Sequence, residues 1–196
     1  NPKGGIEADL TVTRIDEQSF MVVTSAACQR RDLDWLKRNT PDDAHAISTD
    51  VTSGLATLSV MGPRSRDLLQ ILTPDDLSNA AFPFGASREI DLGYGRVRAT
   101  RITYVGELGW ELYIPTEFVQ NVYDSIVAGG AAFGLKHAGY HALNSLRIEK
   151  AYRHWGHDIG PDDDPIQAGL GFCVAWEKKG GFIGQEALAA RRGKQP

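Results

Sequence analysis

Glu111 and Asp9 are carboxylates that lie where the surrounding sequence is apolar or prone to form strands. Glu111 lies between Trp110 and Leu112, and Asp9 starts such a run shortly after two glycines. A charge that is buried without a partner is costly. A carboxylate can accept hydrogen bonds from two adjacent N–H donors of a ligand, and such charge-assisted bonds are the stronger kind. A pterin ring presents an edge of this type, an exocyclic amine beside a ring N–H.

Both carboxylates also have a simpler structural interpretation. Alternation along a strand would turn the two neighbours of Glu111 towards the core and leave Glu111 on the solvent face, which spacing alone favours. Asp9 either caps a turn or, if desolvated near a cationic intermediate, acts as a base and electrostatic stabiliser. Tyr104 and Tyr152 are candidates for an aromatic wall with a hydroxyl group beside a bound ring.

The other motifs predict no nucleotide site, metal site or nucleophile. The segment GLGFCV has no third glycine and no strand before it, and no G-x-x-x-x-G-K-[ST] is present. In RHWGHDIGPDDD, Gly156 interrupts His154 and His157, so a polar, capped loop is favoured over a metal site. Cys28 and Cys173 are far apart in the sequence and predict reduced thiols.

Composition and charge exclude further classes of partner. The 196 residues carry a net charge of −4 and no basic cluster interleaved with aromatic residues, which argues against nucleic acid. No apolar run approaches the roughly 18 residues of a membrane span, and the start lacks the pattern of a signal peptide. We expect a cytoplasmic protein, or one of the mitochondrial matrix in a eukaryote, without a membrane partner. The abrupt ends predict a piece of a longer polypeptide.

Hydrophobic periodicity predicts an α+β fold with antiparallel or mixed sheets. Alternation predicts a hairpin over residues 8–25, followed by a helix over 26–38. Further strands are predicted at 54–62, 87–93, 95–104, 110–115 and 172–176, and further helices at 63–72, 116–128 and 140–151. The middle of the chain orders as strand, helix, strand pair, strand, helix, which resembles a ferredoxin-like split βαβ unit.

Several motifs in order carry a resemblance to a known family. The segments GGIEADLTV, VMGPRSRDLL, FPFGASREIDLGYGRVRATRITYVGELGWELYIP, AGYHALNSLRIEKAYRHWGHD and AGLGFCVAW resemble the folate-binding aminomethyltransferases, which include the T-protein of the glycine cleavage system. The chain is more similar to the carboxy-terminal half of the FAD-dependent dimethylglycine and sarcosine dehydrogenases and oxidases. The likeness covers nearly the whole sequence.

The resemblance implies roles for individual residues. GGIEADL is similar to the segment with the family's catalytic aspartate, which falls on Asp9. T-proteins usually have two adjacent acids there, whereas this chain has only the second. YVGELGWE resembles Y-T-G-E-x-G-x-E, which implies that Tyr104 lines the folate site and that Glu111 holds the pterin. Glu107 resembles a turn residue of the same motif. RIEKAY resembles R-L-E-x-x-Y, which implies a folate contact at Tyr152.

Two departures bear on which branch of the family the chain resembles. T-proteins carry an arginine shortly after a Gly-Ala pair in the helix that is predicted here at 140–151, and this chain has Leu143 there. They also tend to have asparagine at the position of Ser25. Both differences favour the oxidoreductase-linked branch over a T-protein with a lipoyl-carrier substrate.

The family's architecture is a three-part cloverleaf around a central folate channel. By resemblance, residues 1–50 are the remainder of a first subdomain, residues 51–135 form a ferredoxin-like subdomain, and residues 136–196 return to the first subdomain and lead towards a closing barrel. An amino-terminal FAD domain is expected elsewhere in the parent polypeptide.

The function implied by the resemblance is one-carbon transfer to tetrahydrofolate. A flavin domain of the same polypeptide would oxidise an N-methyl amine to an iminium, from which this region would form 5,10-methylenetetrahydrofolate. Asp9 would stabilise the cation and take up a proton, while Glu111 would orient the pterin. Two alternatives stay open, a glycine-cleavage T-protein and a non-catalytic folate-binding regulatory module.

Overall fold

The computed structural model describes residues 1–193, which form two compact units. The discontinuous unit combines Asn1–Ser48 with the chain from Arg153 onward, and the continuous unit is Thr49–Tyr152. No helix within the described residues is both long enough and apolar enough to cross a membrane. The division expected from the resemblance, with boundaries after residues 50 and 135 and a return of residues 136–196 to the first subdomain, stays a prediction.

An antiparallel hairpin near the start of the discontinuous unit confirms the first predicted element. β1 (Leu10–Arg14) pairs with β2 (Phe20–Thr24). Asp16 closes the turn, because its Oδ1 accepts hydrogen bonds at 2.8 Å from the backbone N–H groups two and three residues further on. An aspartate that satisfies turn N–H groups in this way stabilises the reversal between the strands.

Two helices belong to the same unit. α1 (Gln29–Arg38) confirms the predicted helix. A short helix, α5, spans Gln185–Ala189 near the end of the described chain. Asp32 in α1 is buried, pairs with Arg31 at 2.7 Å and accepts a hydrogen bond from the hydroxyl of Thr24 at the end of β2. The buried carboxylate therefore ties the helix to the hairpin.

The prediction of a strand at 172–176 is wrong. Gly171–Cys173 is instead a single 3₁₀ turn. The backbone N–H groups of Cys173 and Val174 bond to carbonyls three residues earlier, at 2.9 and 3.3 Å, so they are not available to a sheet partner. Gly169 just before the turn has a φ of +69°, in the left-handed region that suits glycine and ends extended structure.

The continuous unit is built on a four-stranded sheet. Its strands are β3 (Leu55–Met61), β4 (Ser87–Leu92), β5 (Gly95–Thr100) and β6 (Gly109–Pro115). The strand order is β3-β6-β5-β4, and every neighbouring pair is antiparallel. The α+β class with antiparallel sheets is therefore confirmed.

The strand order corrects the expected split βαβ unit. β3 and β4, which are joined through helix α2 (Ser65–Gln70), are separated by two strands and run in opposite directions, whereas a split βαβ unit has parallel strands around one inserted strand. The physical reason is the seven-residue pairing of β3 with β6. It places Leu58 opposite Leu112 and Val60 opposite Trp110, so the apolar faces of the two strands coincide.

Helices complete the continuous unit and cover one face of the sheet. α3 (Val119–Gly130) follows β6 through a 3₁₀ turn, and α4 is Tyr140–Glu149, so both predicted helices are confirmed within a few residues. Val122 and Ile126 of α3 and Leu69 of α2 are buried in the hydrophobic cluster that the sheet contributes to.

The alternation of β6 separates its two faces. Trp110, Leu112 and Ile114 have no exposed surface and belong to the hydrophobic cluster. The side chains between them project from the opposite face, because successive residues of a strand alternate. Glu111 and Tyr113 therefore share the other face of the sheet.

Asp164 is a buried carboxylate that organises the chain after it returns to the discontinuous unit at Arg153. It has no exposed surface; its Oδ1 accepts the N–H groups of Ile166 and Gln167, and its Oδ2 pairs with Arg191 at 2.7 Å. Burial opposes the charged form, but these hydrogen bonds and the guanidinium together hold the pKa of Asp164 below its usual value of 3.8.

Asp164→Asn is expected to destabilise the protein by about 1–3 kcal/mol at neutral pH, because it removes charge-assisted hydrogen bonds from a buried site. The folded-state pKa lies below the unfolded value, so the stabilisation is present above about pH 3.8 and is lost as the pH falls through the folded-state value. Thermal unfolding of both proteins between pH 7 and pH 3 should show the gap narrowing. Asp162→Asn, an exposed neighbour, is the matched control; an equal effect of the two variants would contradict the prediction.

Candidate functional site

Glu111 is held at the centre of the sheet. Its residue lies opposite Ser59 of β3 on one side and opposite Thr100 of β5 on the other, and it is half-buried. Glu111 is therefore not the fully solvent-facing residue that alternation alone allows. A carboxylate on a strand that is paired on both sides has a backbone fixed by two ladders of hydrogen bonds.

Tyr113 contacts Glu111 directly. Its hydroxyl donates a hydrogen bond of 2.7 Å to Oε2 of Glu111, and the residue is only 3% exposed. Burial, and after it the hydrogen bond to the Glu111 carboxylate, raise the pKa of the Tyr113 phenol above its usual value of 10. The phenol therefore stays protonated and acts as the donor. Sequence reasoning missed this residue, although the i, i+2 spacing of E-L-Y on a strand is the signal that could have found it.

Hydroxyl groups continue the polar face beside Glu111. Thr100 is 2% exposed and donates a 2.9 Å hydrogen bond from its Oγ1 to the hydroxyl of Ser87, which lies opposite it on β4. Arg98, opposite Tyr113, pairs with Glu89 at 3.1 Å. The cation nearest in register is thus engaged with another carboxylate.

Tyr104 lies in the loop that leads from β5 into β6. It is half-buried, and Val105 after it is 6% exposed and donates its N–H to the Thr103 hydroxyl at 3.2 Å. Gly106 has a φ of +69° and closely approaches the Lys150 side chain, so a larger residue would meet both strain and a clash. The loop is therefore packed against the end of α4.

Glu107 lies in the same loop. Its carboxylate pairs with Lys150 at 3.4 Å, and both side chains are more than two-fifths exposed. A pair with this exposure contributes little stability. Glu107 thus contacts a lysine at the protein surface, in contrast to Glu111 with its buried tyrosine.

Tyr152 follows a tight reversal at the end of α4. Ala151 has a φ of +55°, which is rare for a residue with a side chain. Arg147, only 2% exposed, accepts the Tyr152 N–H on its carbonyl at 3.0 Å and donates from its guanidinium to the Tyr152 carbonyl at 2.9 Å. Its Nε also bonds to Asn144 at 2.8 Å. Arg147, another residue that sequence reasoning missed, therefore holds the turn that presents the 38% exposed Tyr152.

Asp9 lies immediately before β1 and is exposed. The segment before it is held in place, because the Trp155 indole donates to the Ile6 carbonyl at 2.7 Å and Arg31 pairs with Glu7 at 2.7 Å. The surrounding protein partly desolvates the Asp9 carboxyl, although the residue keeps exposed surface, and this raises its pKa above the usual value of 3.8; the charge of His154 opposes that shift. Asp9 is thus a carboxylate with an increased affinity for a proton.

The histidine-rich loop is closed by its own aspartate. Asp158 accepts the His154 N–H at 2.9 Å and bonds to His157 at 3.0 Å. The rings of His154 and His157 stack with centroids 5.8 Å apart. Among residues 1–193, no group of three or more histidine, cysteine, aspartate or glutamate side chains has the arrangement of a metal site. The loop has the polar, capped structure that its sequence favours.

The four residues expected to form the site belong to two different units. Tyr104, Glu111 and Tyr152 are in the continuous unit, where the close contact of Gly106 with Lys150 brings the loop of Tyr104 to the turn before Tyr152. Asp9 is in the discontinuous unit. The ligand-binding and catalytic roles of these four residues stay predictions.

A protein-family comparison identifies the chain. Residues 1–178 match the sequence model of the GCVT N-terminal domain. The chain belongs to this family. The resemblance to the aminomethyltransferases is thereby confirmed.

Members of the family differ in the reactions for which they are named. The chain is 46% identical to a 4-methylaminobutanoate oxidase (formaldehyde-forming) of Paenarthrobacter nicotinovorans over 96% of its own length and 23% of that protein. It is 39% identical to the mitochondrial sarcosine dehydrogenase of Mus musculus, over 98% of its length and 22% of that protein. The chain thus spans less than a quarter of these curated relatives.

A solved structure supports the same assignment. The glycine cleavage system aminomethyltransferase T of Bartonella henselae superposes with a TM-score of 0.81 and 26% identity, over the whole of this chain and 52% of that one. The α+β fold expected for the family is therefore confirmed. The relatives named as an oxidase and a dehydrogenase are 46% and 39% identical to this chain, and the aminomethyltransferase structure is 26% identical. The branch favoured by Leu143 and Ser25 stays a prediction.

His154→Gln is expected to raise the pKa of Asp9 further, because it removes the positive charge that a histidine carries in the acidic range where an aspartate titrates. Titration of the Asp9 carboxyl carbon by NMR measures this directly. His45→Gln, which changes an exposed histidine of the same unit, should leave the Asp9 pKa unchanged. An unchanged or lower Asp9 pKa in His154→Gln would contradict the electrostatic interaction.

Proposed function

We propose that this chain is the tetrahydrofolate-binding, one-carbon transfer region of a flavoprotein that oxidises N-methyl amines, similar to the dimethylglycine and sarcosine dehydrogenases. The observation that carries the proposal is the Glu111–Tyr113 pair on the polar face of β6, in a segment that resembles the pterin-binding motif of the family. The names of the relatives support the N-methyl amine class of substrate.

The chemistry of Glu111 fits a pterin edge. The Tyr113 hydroxyl occupies one acceptor position of Oε2, and each carboxylate oxygen offers two. Oε1 and the second position of Oε2 are therefore available to a ligand with two adjacent N–H donors. Since Arg98 pairs with Glu89, the negative charge of Glu111 has no arginine partner among the described residues.

Binding in this manner orients the ligand before reaction. Two charge-assisted hydrogen bonds from one carboxylate fix the plane of a pterin as well as its position. Tyr104 and Tyr152 are proposed to contact the same ligand. When bound, tetrahydrofolate supplies the nitrogen nucleophile that accepts the one-carbon unit; holding it in a reactive orientation can contribute several kcal/mol to the rate.

Asp9 is proposed to stabilise the incoming iminium and to accept the proton released. A base is more effective when its pKa lies nearer the working pH, and the raised pKa of Asp9 is a shift in that direction. Its negative charge would also favour a cation over a neutral amine. Both effects depend on the carboxylate and not on the size of the side chain.

The oxidation step is proposed to belong to an FAD domain elsewhere in the polypeptide. This proposal rests on the relatives, which are named as oxidases and dehydrogenases and are more than four times as long as the part that this chain matches. We propose the cytoplasm as location, or the mitochondrial matrix in a eukaryote, since the mouse relative is named as mitochondrial. Neither a nucleic acid nor a membrane is proposed as a partner.

A second candidate function is that of a glycine-cleavage aminomethyltransferase. The structural match to such a protein supports it. Leu143, in place of the arginine expected in T-proteins, argues against it. Turnover of an N-methyl amine without a lipoyl carrier would separate the two functions.

Glu111→Gln is expected to weaken binding of tetrahydrofolate by about 10- to 100-fold, because the amide removes the charge and replaces an acceptor with a donor. Calorimetric titration of the full-length protein measures this affinity. Glu107→Gln is the matched control, since it neutralises a glutamate four residues away whose partner is an exposed lysine. Equal affinities of Glu111→Gln and wild type would rule out the pterin contact.

Asp9→Asn is expected to bind tetrahydrofolate with wild-type affinity but to form methylenetetrahydrofolate about 100-fold more slowly or worse, as for loss of a general base. The assay offers sarcosine, dimethylglycine and 4-methylaminobutanoate in turn to the full-length protein and measures both methylenetetrahydrofolate and free formaldehyde. In Asp9→Asn, formaldehyde should replace the folate product.

Glu17→Gln, at the exposed hairpin turn, serves as the control for that variant and should behave as wild type. Undiminished methylenetetrahydrofolate formation in Asp9→Asn would remove the catalytic role of Asp9. Release of formaldehyde alone by the wild type would remove the transfer step from the proposed function.

A further inference from the structure

Tyr113 is a buried phenol on the polar face of the sheet. The residue is 3% exposed, and its hydroxyl donates at 2.7 Å to Glu111. A buried tyrosine needs a partner for its hydroxyl, and a backbone carbonyl or a neutral side chain would serve that need. Here the partner is the carboxylate of the proposed pterin site.

The strand fixes the distance between the two side chains. Residues two apart on one strand project from the same face, and β6 is paired along its whole length with β3 and over Glu111 and Tyr113 with β5. Tyr113 has a rigid ring with few torsions, whereas a glutamate has a longer and more flexible side chain. The tyrosine is thus the fixed partner, and its hydrogen bond restricts the rotamers of Glu111.

The hydrogen bond also determines which acceptor positions remain for a ligand. The phenol is held in its protonated form, so it donates to Oε2 and occupies one acceptor position of that oxygen. One position on Oε2 and those on Oε1 remain for a ligand. A carboxylate fixed in this way discriminates in favour of an edge with two parallel N–H donors.

We infer that Tyr113 is a positioning residue that orients Glu111 and thereby sets the preference of this site for a ligand with two adjacent N–H donors. The inference rests on the proposed folate-binding function. Tyr113 acts through Glu111, so its effect should be present only when the carboxylate is present.

A double-mutant cycle in the full-length protein tests this dependence. The affinity for 5-formyltetrahydrofolate, a stable reduced folate, is measured by calorimetry for wild type, Tyr113→Phe, Glu111→Gln and the double variant. Tyr113→Phe should weaken binding about tenfold, the equivalent of one hydrogen bond to a charged group. In the Glu111→Gln background the same change should have little further effect.

Tyr123→Phe is the matched control. Tyr123 is 38% exposed and its hydroxyl bonds to His137 at 2.9 Å, so the variant also removes one tyrosine hydroxyl from the same unit. It should bind 5-formyltetrahydrofolate as the wild type does.

A second measurement separates positioning from a loss of folded structure. Two ligands are compared: a reduced folate, and its analogue with a methyl group in place of the exocyclic amine. The ratio of the two affinities is determined for wild type and for Tyr113→Phe. Wild type should prefer the ligand with both donors, and the preference should narrow severalfold in Tyr113→Phe. General destabilisation would lower both affinities and leave their ratio unchanged.

The outcomes distinguish the inference from the proposed function. Binding of the folate by wild type but not by Glu111→Gln supports the folate site. If Tyr113→Phe then has the wild-type affinity and the wild-type ratio of the two folate affinities, the role of Tyr113 is overturned and the folate site stands. Equal losses from Tyr113→Phe in both backgrounds also overturn that role, since they show an effect independent of Glu111. If wild type binds no folate, the proposed function is overturned and the role of Tyr113 with it.

Discussion

The pairing of β6 between β3 and β5 is the constraint on which the candidate site depends. Trp110, Leu112 and Ile114 have no exposed surface, and their burial fixes which way the strand faces. A rotation that exposed Glu111 fully would bring these three side chains into water, at a cost of about 1.5–3 kcal/mol for a side chain of this kind. The hydrophobic effect on one face therefore positions the carboxylate and the phenol on the other.

Charged side chains hold the irregular segments that carry the other candidate residues. Arg147 bonds to both backbone groups of Tyr152, and Arg31 pairs with the glutamate two residues before Asp9. Arg147 contacts the main chain of Tyr152, and Arg31 contacts the carbonyl and the carboxylate of that glutamate. Neither arginine has an assigned part in the chemistry. A loop stabilised by such contacts places its side chain less rigidly than a central strand does. Glu111 is accordingly the most firmly positioned of the four candidates.

The family comparison shows how little the fold constrains the reaction. An aminomethyltransferase shares the fold at 26% identity, whereas relatives named as an oxidase and a dehydrogenase are 46% and 39% identical. One fold that carries different reactions is the usual situation, because function resides in the site and not in the fold.

The sequence by itself determined the local features: the hairpin around Asp16, the helices, the two faces of β6, and, through resemblance, the identity of Asp9, Tyr104, Glu111 and Tyr152 as candidates. Periodicity encodes which face of an element is apolar. Only the tertiary structure decided the strand order β3-β6-β5-β4, the absence of a strand at 172–176 within the described chain, and the bond between Tyr113 and Glu111. These features depend on which distant segments pack together, and the periodicity of a single segment carries no information about its partner.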